Sequence, residues 1–256
     1  MRLVELVRYL DEYLRVGEVP DSPRALNGLQ VENGGEVTRV AAAVDASEAA
    51  IREAIRRECD VLLVHHGLFW EGLRPVTGRR YRKLDLLLRH GIAVYAAHIP
   101  LDLHPEVGNN VVLARELGVR VEGWFGDYKG VKLGVWGELE LKREALAARL
   151  DELLGGRVRM LAGGPEVVRR VGVLTGQGGD LIGEAVAAGL DAYVTGEGAH
   201  HVFRRDGVRD QRVLRRALRD GGLGRAGAGG ASGGPVRAGV GVPGPADGDV
   251  SRRVTG

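Results

Sequence analysis

The sequence predicts an α/β fold of two lobes, with parallel strands flanked by helices, on three observations. Short apolar runs alternate with helix-period segments across residues 39–98. A similar alternation restarts near Gly123. Histidines and carboxylates fall just after the apolar runs, at the carboxyl ends of the expected strands, where open α/β sheets gather their ligands.

In chain order, "MRLVELVRYLDEYLRVGEVP" reads as an amphipathic helix rather than a secretion signal. "RVAAAVDA" (39–46) is a buried strand, and Ser47 caps the helix of "SEAAIREAIRREC". "DVLLVHH" (60–66) is the next strand, and "GLFWEGLRPVTG" a loop. "RRYRKLDLLLRHG" is a helix and "IAVYAAH" (92–98) a third strand. In the second lobe "KLGVWGEL" is a strand and "KREALAARLDELLGG" a helix, followed by a strand–loop–helix–strand unit from Val168. The expected division is a first lobe over 1–122, a second over 123–203, and a tail over 204–256.

That tail differs in kind. Residues 204–256 hold 11 arginines, 5 aspartates, 14 glycines and only three leucines, with no Lys, Glu, Ile or aromatic residue. Such a composition cannot offset its ordering entropy and is expected to be disordered. The formal charge of the whole chain is +2. Without the tail, residues 1–203 carry 25 Lys and Arg against 29 Asp and Glu. The basic character therefore belongs to the tail, and the body offers little support for nucleic-acid binding. No apolar window is long enough for a membrane span. Cys59 is the only cysteine, which excludes a disulfide framework and a thiolate cluster. The cytoplasm is the expected location.

The chemistry centres on "VHHGLFWEG" (64–72). Adjacent histidines on a strand face opposite sides, so His65 and His66 can serve one site only where the strand ends and turns. Gly67 is expected to free the backbone there. Neutral imidazoles suit Fe, Zn, Mn or Ni, and Asp102, beyond the next strand, offers a carboxylate. Metal ligation and two polar residues merely closing a strand both fit this pattern. His98 reads as a group supporting the site or as a core histidine, and His104 as a solvated loop residue. Glu197 ends a strand near the pocket or opens the next helix. His200 and His201 read as an exposed helix end rather than as replacement ligands. The glycines of "TGQGGDLIGEA" read as packing, because the segment lacks the Lys-Ser/Thr of a phosphate loop.

Five segments, "NGLQVE" (27–32), "VHHGLFWEG", "HIPLDLHPEVGNN" (98–110), "GGPEVVRRV" (163–171) and "DAYVTGE" (191–197), resemble in order and spacing the GTP cyclohydrolase I type 2 homologue family, also called NIF-three-like. The resemblance covers roughly residues 1–203 and includes Asn27 at the pocket. It implies a two-lobed NIF-three-like fold with parallel and mixed sheets, a toroidal homohexamer, and two divalent metal ions per subunit. It implies that His66 and Asp102 hold one ion and His65 the other. It also implies metal-dependent hydrolysis of a nucleotide or other C–N bond substrate, or alternatively a non-enzymatic, ring-forming metal-binding scaffold or regulator.

The family's further ligands, a histidine and a bridging glutamate near the C-terminus, are missing from this sequence. One permitted coding of residues 215–222 is CGC-CGG-GCA-CTA-CGC-GAC-GGA-G. Read one base later, it gives Ala-Gly-His-Tyr-Ala-Thr-Glu, the absent motif, with its histidine in the register of Ala217 and its glutamate in that of Gly221. The sequence thus points to a change of reading frame between about Phe203 and Arg215; the rival reading is a genuinely diverged tail. As written, the chain is expected to hold metal weakly and to show little activity.

Overall fold

The computed structural model describes residues 1–156 and 158–197, together with the backbone of Val213–Arg215 and Arg237–Ala238. Helix α1 (Leu3–Tyr13) leads to β1 (Gly28–Val31), β2 (Val40–Asp45), α2 (Glu48–Arg56) and β3 (Val61–His66). Then come α3 (Gly78–Arg89), β4 (Ala93–Ala96) and the short helices α4 (Ile99–Asp102) and α5 (Asn109–Glu116). Ser47 accepts Ala50 N–H at 3.1 Å, capping α2 and fixing its start directly after β2.

The first sheet has the order β1-β4-β3-β2-β11, where β11 is Arg237–Ala238. Strands β2, β3 and β4 are parallel, so their carboxyl ends share one edge; β1 and β11 run antiparallel. One face packs Leu62, Val64 and Val94 against Ala50, Ile51 and Ala54 of α2 and Leu87 of α3. The other packs Val61 and Ala93 against Leu3 and Leu6 of α1. Cys59 is a small buried residue within the first of these cores.

The second sheet begins with β5 (Arg120–Tyr128) and β6 (Val131–Lys142), continues after α6 (Arg143–Leu154) with β7 (Arg159–Leu161) and β8 (Val167–Leu174), and then α7 (Ile182–Ala187) and β9 (Ala192–Thr195). With β10 (Val213–Arg215) its order is β5-β6-β8-β9-β10-β7. Strands β8, β9 and β10 are parallel, whereas β5–β6 and β6–β8 are antiparallel, so the architecture is α/β with mixed sheets flanked by helices. Helices α5 and α6 cover one face through Val111, Leu117, Leu146 and Leu150. Beneath α7, Phe125 and Tyr193 form an edge-to-face pair at 5.6 Å.

Asn110, on α5 in the segment that links the two sheets, fastens that segment to the second sheet. It is 1% exposed; its Oδ1 accepts Thr175 N–H at 2.7 Å and Thr175 Oγ1 at 2.9 Å, and its Nδ2 donates to Leu133 O at 2.7 Å. The glycines of "TGQGGD" do serve packing: a Cβ on Gly178 would lie 2.3 Å from Tyr193 Oη and 2.5 Å from Thr195 Oγ1. Among the described residues no helix is long and apolar enough to cross a membrane.

Candidate metal site

The site is built at the carboxyl edge of the first sheet. His65 and His66 end β3, and His98 follows β4 by two residues. One ring nitrogen from each of these histidines lies within 4.8 Å of the others. Ring centroids are 4.6 Å apart for His65–His66, 4.8 Å for His65–His98 and 5.6 Å for His66–His98.

Each ring is held through Nδ1. His65 Nδ1 faces Ala97 O at 3.1 Å, His66 Nδ1 faces Asp45 Oδ1 at 2.8 Å, and His98 Nδ1 faces Asp21 Oδ1 at 3.0 Å. A carbonyl or an ionised carboxylate can only accept, so Nδ1 carries the proton in each ring, and each neutral imidazole keeps its lone pair on Nε2. Burial pushes the His65 pKa down, ahead of the repulsion from His66 and His98 and against the attraction of Asp102, which favours the neutral ligand form. This anchoring, with a carbonyl or carboxylate behind every imidazole, is the arrangement metal-binding histidines use.

Asp102, the last residue of α4, brings Oδ2 to 3.7 Å from His65 Nε2, while its Oδ1 accepts Asn109 Nδ2 at 2.7 Å. Three imidazoles and a carboxylate suit Zn, Fe, Mn or Ni, and the residues present therefore fit a divalent cation. His98 belongs to the imidazole group itself, and Asp102 stands beside His65 rather than beside His66.

Asn27 lies behind the cluster. Its Nδ2 donates to Asp21 Oδ2 at 2.8 Å and its Oδ1 accepts His98 N–H at 2.8 Å. Burial would raise the Asp21 carboxyl, but hydrogen bonds from His98, Asn27 and the Ile99 amide outweigh it and bring the pKa to about 2. At Asp45 the hydrogen bond from His66 is the leading cause of a lowered pKa. Trp70 meets His98 and His66 edge to face at 4.7 and 5.7 Å, and its buried Nε1 has no hydrogen-bond partner among the described residues.

Two readings of individual residues need correction. Gly67 does not adopt a left-handed backbone. It is glycine because a Cβ would lie 2.2 Å from the Gln30 amide, which accepts Leu68 N–H at 2.7 Å and so fixes the chain leaving His66. His104 is not a solvated loop residue: it is 8% exposed, its Nδ1 accepts the amides of Glu106 and Val107, and its ring lies 4.2 Å from that of Tyr13. Glu197 is placed at the end of the second sheet, where its Oε2 accepts Gln177 Nε2 at 2.9 Å. His200, His201 and the registers of Ala217 and Gly221 lie outside the described residues, as does the tail apart from its two short strands.

Asp45 and Asp21 went unnoticed in the sequence. Asp45 had a signal: it ends the strand beside β3, in register with His66. Asp21 had none, since it sits in the irregular segment "PDSPRALN".

Comparison with known proteins adds an independent line. The family model described as Duf34/NIF3 (NGG1p interacting factor 3) matches residues 1–213. A protein of Deinococcus radiodurans named GTP cyclohydrolase 1 type 2 homolog is 45% identical over 201 residues, covering 78% of this chain and 76% of that protein. One of the same name from Archaeoglobus fulgidus is 42% identical over 203 residues, covering 79% and 81%. Among solved structures, TTHA1606 from Thermus thermophilus superposes with a TM-score of 0.74 at 44% identity, covering 84% of this chain and 86% of that one.

Proposed function

Since the chain belongs to the Duf34/NIF3 family, we propose that it binds divalent metal at His65, His66 and His98, with Asp102 alongside, and that it is a metal-dependent hydrolase of a nucleotide or other C–N bond substrate. The observation that carries this reading is the common anchoring of the imidazoles, which leaves every Nε2 lone pair free of a donor among the described residues. A bound divalent ion would supply Lewis acidity and lower the pKa of water. The chain's own part is to hold the rings. Ala97 O, Asp45 and Asp21 fix their tautomers, and Asn27 holds Asp21 in place.

The name shared by the relatives supports the reaction class, and we propose further that the chain assembles as a ring of identical subunits, the homohexamer. In the same reading the second ion depends on the missing C-terminal histidine and glutamate, so activity is impaired in the chain as it stands. The family match ends at residue 213, inside the interval where the reading frame is inferred to change. The test is metal analysis after dialysis, on this chain and on a gene read in the shifted frame beyond residue 215. At most one ion per subunit is expected in the first and two in the second, with turnover only in the second. Two tightly held ions in the present chain would overturn the inferred loss, and no retained metal in either protein would overturn the metal site.

A further inference from the structure

Between α4 and α5 the chain folds back on itself over LHPEVG (103–108). His104 Nδ1 accepts the amides of Glu106 and Val107, each at 3.2 Å, and Gly108 N–H donates to His104 O at 3.0 Å. Gly108 leaves no room for a side chain: a Cβ there would lie 2.4 Å from His104 O and 2.8 Å from the carbonyl oxygens of Leu101 and Asp102. This tight return brings Asn109, the first residue of α5, against Asp102, the last of α4. Asn109 Nδ2 donates to Asp102 Oδ1 at 2.7 Å. Its neighbour Asn110 is turned about 100° around the helix and serves the second sheet instead.

The two oxygens of Asp102 are therefore unlike. Oδ1 is held by the Asn109 amide. Oδ2 has no hydrogen-bond donor among the described residues and lies 3.7 Å from His65 Nε2. With the His65 proton on Nδ1, that nitrogen presents a lone pair, so a lone pair and an ionised oxygen face each other with no proton between them. The side chains are only 14% and 13% exposed, and water screens them poorly. A cation between them removes the conflict.

A carboxylate offers a cation one oxygen or both, unless something holds one back. Two-oxygen ligation by Asp102 would occupy the position that a hydrolytic metal site leaves to water or substrate. We propose that Asn109 is the positioning residue that makes Asp102 a one-oxygen ligand: its amide holds Oδ1, turns Oδ2 to the imidazoles and keeps a coordination position open. This rests on the cluster being a metal site and adds the residue that sets how its carboxylate engages. Asparagine suits the task because its amide donates without adding charge. An aspartate of the same size could not donate when ionised, and would set a second negative charge against the first.

The test is equilibrium titration of the full chain with Co2+, whose visible absorption is intense at low coordination number and weak at six. Asn109→Ala is expected to bind Co2+ at least about tenfold more weakly, the usual cost of removing a ligand's outer partner. Its absorption per bound ion should also fall, as Asp102 swings to present both oxygens. Asn109→Asp, equal in size but without the donor, should lose as much affinity. In an Asp102→Ala background, Asn109→Ala should change affinity by less than about twofold, because the group it acts through is gone. A role in packing alone predicts the reverse: equal losses with and without the Asp102 carboxylate and an unchanged spectrum, and that result overturns the proposal. Wild-type affinity and spectrum in Asn109→Ala overturn it as well. Failure of the underlying metal reading looks different, since wild type then takes up no Co2+, and it removes both.

Discussion

At their amino-terminal edges the two sheets are tied in the same way. Asp60, just before β3, donates its amide to Arg39 O and accepts the amides of Thr38 and Arg39 on its carboxylate. Asp191, just before β9, donates its amide to Arg170 O and accepts those of Arg169 and Arg170. At the opposite edges the sheets part company. Thr195 Oγ1 accepts Gly178 N–H and lies 3.3 Å from Gly176 O, while Tyr193 Oη donates to Gly178 O, so the polar groups there satisfy one another. In the first sheet each imidazole satisfies one nitrogen and holds the other in reserve. A strand edge whose hydrogen bonds close on themselves is scaffold, whereas one with convergent spare lone pairs can receive a ligand.

The sharpest way to break this contrast is to remove the lone pairs. His65→Ala/His66→Ala should lower zinc affinity by about a thousandfold, since even outer partners of metal ligands are worth about ten- to a hundredfold each. Thr195→Val should leave it unchanged; equal losses in a competition titration would erase the distinction between the edges. Asn110→Ala should cost about 3 kcal/mol in urea unfolding, because it leaves buried groups of Thr175 and Leu133 without partners.

Next come the two crowded glycines. Gly178→Ala should lower stability by about 2 kcal/mol through overpacking and spare metal affinity. Gly67→Ala should cost less stability, because the Gln30 side chain can move aside, yet weaken zinc binding by displacing His66. The reverse pattern would place the ligand-receptive edge in the wrong sheet.

The smallest effect concerns the shared edge. The amides of Thr38 and Arg39 hold the Asp60 carboxyl below its usual range, overcoming the opposing effect of burial. A depressed carboxyl pKa adds stability at neutral pH that is lost as the pH falls through the usual carboxylate range toward the lower folded value. Asp60→Asn should thus cost about 1 kcal/mol at pH 7 and flatten the acid limb of the stability curve. An acid titration of wild type and variant by circular dichroism checks it, and parallel acid limbs would count against it.

The first sheet was the more legible in sequence. The runs RVAAAVDA, DVLLVHH and IAVYAAH are short, apolar and separated by two periodic helices, the first capped by Ser47, and all three became parallel strands. The imidazoles were placed at strand ends by the same pattern. The β5–β6 hairpin was only half visible because glycines interrupt it where aromatic rings lie flat: Trp136 fills the space over Gly123 and Phe125 that over Gly134. Such positions carry no side-chain alternation to read. The burial of His104 depends on Tyr13, ninety-one residues away in sequence, and no local pattern announces it. The anchoring of His98 by Asp21 was hidden for the same reason.

Asn110 has a mechanical consequence. Its amide also reaches Asp102 O at 3.4 Å, so a single side chain grips the segment bearing the site's carboxylate while its other contacts grip β8 and the strand containing Leu133. The imidazole-bearing half is therefore not a free-standing module. Cut away from the second sheet, it would lose the clamp that seats Asp102 and expose Val111, Leu113 and Leu117, which now pack beneath that sheet. Transplanting this site into another protein would require carrying its neighbour along with it.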